Sequence, residues 1–204
     1  MSEISIVDYG MGNLGSMLNM FKRIGVRANI ESEPEVISRA EKLVLPGVGA
    51  FDAAMRRIDE VPGLRKILDQ KALTERVPIL GVCLGMQLLT RSSEEGQLPG
   101  LAWIPGETRR FPSMDGLKVP HMGWNVARPN TASPLTAAVG AEPRYYFVHS
   151  YYVTVEDPAH SLMRTHYGIE FDSAIGRDNI YGVQFHPEKS HRFGMQLLGS
   201  FARL

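Results

Sequence analysis

The spacing of hydrophobic and polar residues divides the chain into two halves. In the first half, short apolar runs at 4–8, 28–30, 43–45 and 78–82 predict strands. Stretches with helical spacing lie between or after them, at 14–24, 50–58, 64–76 and 84–90. Strands that alternate with helices in this way predict a mostly parallel central sheet flanked by helices.

The second half has a different pattern. Residues 92–116 are rich in Pro, Gly and Ser and are predicted to be mostly loop. Aromatic and β-branched runs follow at 124–127, 145–155, 173–176 and 180–185, and we expect them to form antiparallel additions to the sheet. Helical spacing returns at 193–201. Because no linker-like stretch separates the halves, we predict one α/β domain over residues 1–204.

Composition and charge limit the classes of protein to which this chain can belong. The 204 residues are 44% hydrophobic and 22% charged, which is enough apolar material for a core and too much for a disordered chain. Lys plus Arg and Asp plus Glu number 22 each, so no charge excess favours nucleic acid or an anionic membrane as partner. We see no secretory signal and no run of 18 apolar residues, and we therefore expect a cytoplasmic protein without a membrane span.

The single cysteine, Cys83, lies where a predicted strand runs into a predicted helix. The segment Gly-Val-Cys-Leu-Gly at 81–85 has the form of the G-x-S-x-G nucleophile elbow, with Cys in place of Ser. Gly81 and Gly85 permit the tight turn, and the new helix directs its first N–H groups towards the sulfur. The N–H of Leu84 is then placed to bind an oxyanion. An inert buried cysteine would need neither glycine, so the pattern favours a reactive thiol.

A second oxyanion donor is expected from another strand end. The segment Pro-Gly-Val-Gly at 46–49 follows a predicted strand and is the best candidate, although the same residues also suit a plain turn. Because glycines flank Val48, the peptide before it can rotate at low steric cost. In one orientation the Val48 N–H faces the site, and in the other a carbonyl does.

A thiol nucleophile needs a base, and His186 is the best placed of six histidines. It ends a predicted strand, and Pro187 after it favours an extended conformation at His186. Glu188 lies two residues further on, so its carboxylate can share the side of the imidazole and orient it. His121 and His149 lie in aromatic-rich segments and are expected in the core or in support of the site. Surface or capping roles suit the other three, which are His160, His166 and His191.

Two of these segments resemble a known family. Gly-Val-Cys-Leu-Gly-Met-Gln (81–87) and Gly-Val-Gln-Phe-His-Pro-Glu (182–188) are similar to the class I, or triad, glutamine amidotransferases, and the resemblance covers almost the whole chain. It implies a glutamyl thioester on Cys83, assisted by His186 and Glu188, with Val48 and Leu84 at the oxyanion. The substrate contacts implied for L-glutamine are Gly49, Gln87, Glu95, Ser150 and Tyr151.

Further segments are similar to one branch of that family. Residues 9–14, 46–49, 120–125 and 146–151, with Lys189-Ser190, resemble the glutaminase subunits of imidazole glycerol phosphate synthases in histidine biosynthesis. Most of the class has Pro-Gly-Gly where this chain has Pro46-Gly47-Val48, and Val is a mark of this branch. The resemblance implies a heterodimer in which ammonia passes to a (β/α)8-barrel cyclase subunit, where a phosphoribulosyl-formimino intermediate gives imidazole glycerol phosphate and aminoimidazole carboxamide ribotide. Loop residues expected at the interface are Asn13, Met122, Trp124, Asn125 and Lys189.

Three alternatives stay open at this point. The chain could serve another ammonia-channelling synthase, such as pyridoxal phosphate synthase, although the Gly-Gly-Glu-Ser segment of that group is missing. It could be a γ-glutamyl cysteine hydrolase that works without a partner, or a binding protein without catalysis, which the complete Cys/His/Glu set argues against. No metal-ligand spacing and no Gly-rich phosphate loop is seen, so neither a metal nor another cofactor is expected.

Overall fold

The computed structural model describes residues 3–204, which form a single α/β domain. The helices are α1 (Leu14–Arg23), α2 (Pro34–Ile37), α3 (Phe51–Glu60), α4 (Leu64–Asp69), α5 (Leu84–Leu88) and α6 (His191–Arg203). The strands of the first half are β1 (Ile4–Val7), β2 (Ala28–Glu31), β3 (Lys42–Gly47) and β4 (Ile79–Cys83). Those of the second half are β5 (Gly106–Arg110), β6 (His121–Val126), β7 (Arg128–Pro129), β8 (Arg144–His149), β9 (Tyr151–Val155), β10 (Ser161–Tyr167), β11 (Ile169–Arg177) and β12 (Ile180–Val183).

The central sheet is parallel on one side and antiparallel on the other. Its order is β2-β1-β3-β4-β12-β11-β10-β7, and the pairs from β2 to β12 are parallel. Strand β11 pairs antiparallel with β12, β10 and β9, and β9 in turn carries β5. Strands β6 and β8 form a separate antiparallel pair. The carboxyl ends of β3, β4 and β12 therefore lie side by side at one edge.

Side chains of each parallel strand alternate between two hydrophobic cores, one on each face of the sheet. Val44 of β3 joins Phe21 of α1 and Phe201 of α6 on one face. Leu43 and Leu45 point the other way, into a second core. That core is closed by α3, α4 and Trp103, which is 1% exposed. Burial on both faces explains why these strands are continuous apolar runs in the sequence.

The predicted fold class is confirmed, whereas three local predictions are wrong. The pattern of 180–185 predicts an antiparallel strand, but β12 pairs parallel with β4 and only its pairing with β11 is antiparallel. The run 145–155 is two strands of different sheets, since the chain turns at Ser150. The run 124–127 overlaps β6, which pairs with β8 outside the main sheet. The segment 92–116 is mostly loop, as predicted, but it contains β5, whose polar sequence Gly-Glu-Thr-Arg-Arg shows no apolar alternation.

Several shorter features also differ from the predicted pattern. Strand β10 and the four-residue helix α2 fall in segments whose sequence pattern predicted neither a strand nor a helix. Within the predicted helix at 64–76, α4 ends at Asp69 and a π-helical turn follows at Gln70–Thr74. Within residues 3–204 no helix has both the length and the apolar character needed to cross a membrane.

At the start of α5 the helix backbone packs directly against the backbone of β3, with no side chain between them. A Cβ added at Gly85 would lie 1.8 Å from the carbonyl oxygen of Leu45, and one at Gly81 would lie 2.6 Å from the carbonyl oxygen of Gly85. Real Cβ atoms do not approach backbone oxygens this closely, so both positions require glycine. The two glycines of the predicted elbow thus serve close packing between helix and strand.

This packing predicts a specific stability difference. Gly85→Ala should lower the free energy of unfolding by about 1–3 kcal/mol or more, because a backbone strand must move to admit the methyl group. Gly15→Ala is the matched control: it lies in α1 with no atom within 4 Å of the added Cβ. It should raise stability by about 0.5–1 kcal/mol, through helix propensity. Urea unfolding of both variants measures this, and equal midpoints would contradict the packing argument.

Candidate active site

Cys83 occupies a strained turn between β4 and α5. Its backbone has φ 57° and ψ −112°, a conformation that residues with a side chain rarely adopt. The thiol is largely buried, at 7% exposure. Strain of this kind is the mark of a nucleophile elbow, in which the reactive atom is presented at the carboxyl edge of the sheet.

His186 follows β12, the strand that pairs with β4. Its amide donates to the carbonyl of Tyr146 at 2.9 Å, and the hydroxyl of Ser190 donates to its carbonyl at 2.6 Å, so the backbone is held on both sides. Its backbone is extended, as Pro187 predicted. Because Val183 is in register with Val82, His186 and Cys83 leave the sheet at neighbouring positions.

Glu188 orients the His186 ring. The 3₁₀ turn at Pro187–Lys189, rather than an extended segment, brings its carboxylate back to the imidazole, where Nδ1 and Oε1 are 2.8 Å apart. Both side chains are only 3% exposed. The Glu188 Oε2 and the His186 Nε2 are buried and find no hydrogen-bond partner within residues 3–204. A buried, unpaired ring nitrogen is available to exchange a proton with a bound molecule.

The environment of His186 favours its charged form. Burial lowers its pKa, but interactions with Cys83 and with the Glu188 carboxylate outweigh this and raise the pKa of His186 to about 10. At neutral pH the ring is therefore an imidazolium. A charged ring can give a proton from its unpaired Nε2 to a bound molecule.

The strand end before Val48 lies directly against the elbow. Gly47 is in register with Cys83, and a Cβ added there would lie 3.0 Å from both the Gly85 nitrogen and the Leu84 Cβ. The hydroxyl of Tyr9 donates to the carbonyl of Pro46 at 2.7 Å and holds the preceding peptide. This arrangement brings the backbone of residues 47–48 next to the first residue of α5.

A cavity of about 330 Å³ opens at this edge of the sheet. Its wall contains ten of the predicted site residues, together with Val148 and His149: Val48, Gly49, Cys83, Leu84, Gln87, Glu95, Ser150, Tyr151, His186 and Lys189. Glu188 is absent from the wall because it lies behind His186. The Glu95 carboxylate is held by the amide of Phe51 at 2.9 Å. In residues 3–204 no group of three or more His, Cys, Asp or Glu side chains is arranged to hold a metal.

Gln184 is a site residue that the sequence analysis missed. It is fully buried, and its Nε2 donates to the Cys83 sulfur at 3.7 Å. Its Oε1 accepts from Gln87 Nε2 at 3.1 Å, so the two side-chain amides form a chain that ends at the Cys83 sulfur. The available signal was spacing: Gln184 lies two residues before His186, on the same side of an extended segment.

Of the residues predicted for a partner interface, Lys189 lines the cavity, and three of the others lie on a strand rather than on loops. Met122, Trp124 and Asn125 belong to β6, because their backbone pairs with β8. Met122 and Trp124 are 62% and 42% exposed, and Trp124 stacks on His191 with a centroid distance of 5.5 Å. Lys189 lies over the ring of Tyr146 at 5.8 Å, and Asn13 caps α1 by accepting from the amide of Ser16.

Comparison with known proteins places this geometry in a family. The family model described as "Glutamine amidotransferase class-I" matches residues 5–202. The subunit HisH 2 of imidazole glycerol phosphate synthase from Methanococcus maripaludis is 52% identical over 200 residues, covering 98% of both chains. The protein of the same name from Pseudomonas aeruginosa is 49% identical over 201 residues, covering 98% of this chain and 99% of that protein. Subunit HisH from Bdellovibrio bacteriovorus is 46% identical, covering 98% and 100%.

Solved structures with much lower identity share the fold. PurLQS from Thermotoga maritima superposes with a TM-score of 0.75 at 16% identity, covering all of this chain and 99% of that one. A glutamine amidotransferase from the same organism gives 0.63 at 17% identity, covering 99% and 83%. The family match over nearly the whole length and the three relatives agree with the Cys, His and Glu arrangement at the sheet edge. This chain belongs to the class-I glutamine amidotransferases.

Proposed function

We propose that this chain is the glutaminase subunit of an imidazole glycerol phosphate synthase, acting in the cytoplasm as one domain over residues 1–204. It hydrolyses L-glutamine to glutamate and ammonia and passes the ammonia to a (β/α)8-barrel cyclase subunit in a heterodimer. The observation that carries the proposal is that Cys83 and His186 line one cavity, while Glu188 holds the His186 ring from behind, with Nδ1 and Oε1 2.8 Å apart. The printed names of the relatives support the choice of synthase.

The first half of the reaction forms a thioester and releases ammonia. The Cys83 thiolate attacks the carboxamide carbon of glutamine, and the carbonyl oxygen becomes an oxyanion. The His186 imidazolium gives its proton to the leaving nitrogen when the C–N bond breaks. Ammonia leaves, a glutamyl thioester remains on Cys83, and His186 is neutral. Glu188 keeps the ring oriented and stabilises its charged form.

The second half hydrolyses the thioester. Neutral His186 takes a proton from water, and the resulting hydroxide attacks the thioester carbon. The C–S bond then breaks, which releases glutamate and restores the thiolate beside an imidazolium. The same ring nitrogen thus acts as acid and then as base, and its buried, unpaired state in the resting site suits both steps.

The oxyanion is stabilised by the N–H groups of Leu84 and Val48. One such donor is typically worth ~10²–10³ in rate. The Gly47–Val48 peptide can rotate, so the Val48 donor is available only in one of two orientations. The isolated chain turns over glutamine slowly, and the cyclase with its acceptor ligand bound shifts the population towards the competent orientation. Gly49, Gln87, Glu95, Ser150 and Tyr151 bind the glutamine.

The partner docks around the mouth of the cavity. Met122 and Trp124 present exposed apolar surface on β6, and Lys189 supplies a cation at the cavity rim. Exposed large apolar side chains of this kind are typical anchors of protein interfaces. Asn13 and Asn125 complete the proposed contact surface. Docking here encloses the site that generates ammonia, which keeps the product from escaping to solvent.

The nucleophile is tested by Cys83→Ala in the complex with the cyclase subunit. The variant should lose glutamine-dependent synthesis completely, because no other thiol exists in the chain. Synthesis from added ammonium salt should continue at the wild-type rate, since the cyclase is untouched. Parallel assays with glutamine and with ammonium chloride measure both. Glutamine turnover that survives in the variant would refute the mechanism.

The base and its orienter should differ in their effects. His186→Ala should lower kcat for glutamine by about 10²–10⁴-fold, because it removes both proton transfers. Glu188→Gln should be milder, since an amide oxygen can still accept from Nδ1. Wild-type activity should fall as pH rises through about 10, where the imidazolium is lost. Without the carboxylate this alkaline limit should move to lower pH. Equal losses and unshifted pH profiles would place the base elsewhere.

The proposed docking surface is tested by Trp124→Ala. Loss of the exposed indole should weaken binding of the cyclase and reduce its stimulation of glutaminase activity, while the isolated subunit stays folded. Leu73→Ala is the matched control, because Leu73 is 56% exposed and lies on the π-helical turn, far along the chain from β6. Titration calorimetry and glutaminase assays with and without the cyclase measure both effects. Wild-type affinity and stimulation in Trp124→Ala would contradict the docking surface.

A further inference from the structure

A line of hydrogen bonds, buried at its centre and partly buried at both ends, connects β6 to the wall of the cavity. Asn125 Nδ2 lies 3.2 Å from His121 Nε2, and His121 Nδ1 lies 2.9 Å from His149 Nε2. The other nitrogen of His149, Nδ1, lies 2.7 Å from the carbonyl oxygen of Tyr151. Each side chain in the line therefore uses both of its polar ends. The line begins on the strand that carries Met122 and Trp124 and ends at a residue of the cavity wall.

The direction of every hydrogen bond in the line is determined. The Tyr151 carbonyl can only accept, so His149 carries its proton on Nδ1 and leaves Nε2 to accept from His121. His121 then has its own proton on Nδ1, and its Nε2 accepts from the Asn125 amide. Two other hydrogen bonds fix the orientation of the Asn125 side-chain amide. Its Oδ1 accepts from the backbone N–H of Val126, and its Nδ2 donates to the backbone carbonyl of His166. All three bonds point towards the cavity.

Both imidazoles are neutral at physiological pH. Burial lowers the pKa of His121 to about 4 and that of His149 to about 3. They are enclosed by rings that offer no counter-charge: His121 stacks between Phe147 and Tyr167, and Phe111 and Phe171 pack on His149. A neutral pair with one donor and one acceptor each can satisfy this line only in a single pattern, so the line is rigid.

The inner end of the line joins the chain that reaches the nucleophile. The Tyr151 carbonyl also accepts from Gln87 Nε2 at 3.3 Å. Gln87 in turn donates to Gln184, whose amide contacts the Cys83 sulfur. The carbonyl of Tyr151 is thus held from two sides, by β6 through His149 and by the elbow through Gln87. Moving one end of this path changes the hydrogen bonds available at the other.

We propose that Asn125, His121 and His149, together called the relay below, are positioning residues that hold the turn at Ser150–Tyr151 and couple its orientation to β6. The inference rests on the proposed function, because the turn is taken to bind glutamine and β6 to bind the partner. None of the three residues exchanges protons with the substrate. Their role is to fix where the Tyr151 backbone lies in the cavity, and a partner seated on β6 acts on the site through them.

Three variants of the subunit in complex with the cyclase test the relay. Asn125→Ala should raise the KM for glutamine by about tenfold, the usual effect of one lost buried hydrogen bond, with a smaller change in kcat. His149→Asn keeps a donor for Tyr151 but disconnects it from His121, so adding Asn125→Ala to it should produce no further change. Asn130→Ala is the matched control, because its amide donates to the Ser161 carbonyl at 3.0 Å outside the relay. It should leave KM unchanged.

The outcomes separate the relay from its alternatives. If Asn125→Ala only lowers the unfolding midpoint and leaves KM unchanged, or if its effect is undiminished in His149→Asn, the relay is refuted. Nitrogen-15 NMR of the histidine rings gives a direct reading: both His121 and His149 should be protonated on Nδ1, and a proton on Nε2 of either would overturn the proposal. A wild-type complex that hydrolyses no glutamine would instead refute the proposed function, and the ring tautomers would still decide the relay.

Discussion

The backbone turn at Cys83 is the constraint on which the rest of the site depends. Cys83 adopts its positive φ of 57° because β4 is held between two parallel neighbours and α5 begins at the residue directly after β4. The helix can start that close to β3 only because Gly85 lets the Leu45 carbonyl approach. A single tight contact between helix and strand therefore places the sulfur, the Leu84 amide and the residue 47–48 backbone together.

Sheet order supplies the remaining groups. Residues distant in the sequence meet because β3, β4 and β12 are parallel neighbours, and parallel sheets gather ligand sites at their carboxyl edge. The antiparallel pair β6–β8 then closes one side of the cavity and presents Met122 and Trp124 outward. The buried, neutral histidines His121 and His149 join the carboxyl edge of the sheet to the exposed strand β6. The same architecture thus connects the edge that holds Cys83 with the exposed apolar side chains of β6.

The sequence predicted the parts of the structure that rest on local patterns. Continuous apolar runs identified β1, β3 and β4. The glycines around Cys83 predicted its tight turn, and the Pro after His186 predicted an extended backbone at that histidine. The direction of β12 could not be read, because an apolar run is the same in parallel and antiparallel pairing. Strand β5 was hidden by its polar sequence. The spacing of Gln184 from His186 indicated a shared side of the segment but not the contact with the Cys83 sulfur. Non-local pairing determines each of these features.

Covalent chemistry at Cys83 is the central claim, and trapping the intermediate tests it most directly. The subunit, in complex with the liganded cyclase, is mixed with glutamine, quenched in acid within a turnover and digested for mass spectrometry. The account predicts a glutamyl group on the peptide that contains Cys83, which disappears when a nucleophilic amine is added before the quench. Turnover without any adduct, or an adduct on a different residue, would contradict it.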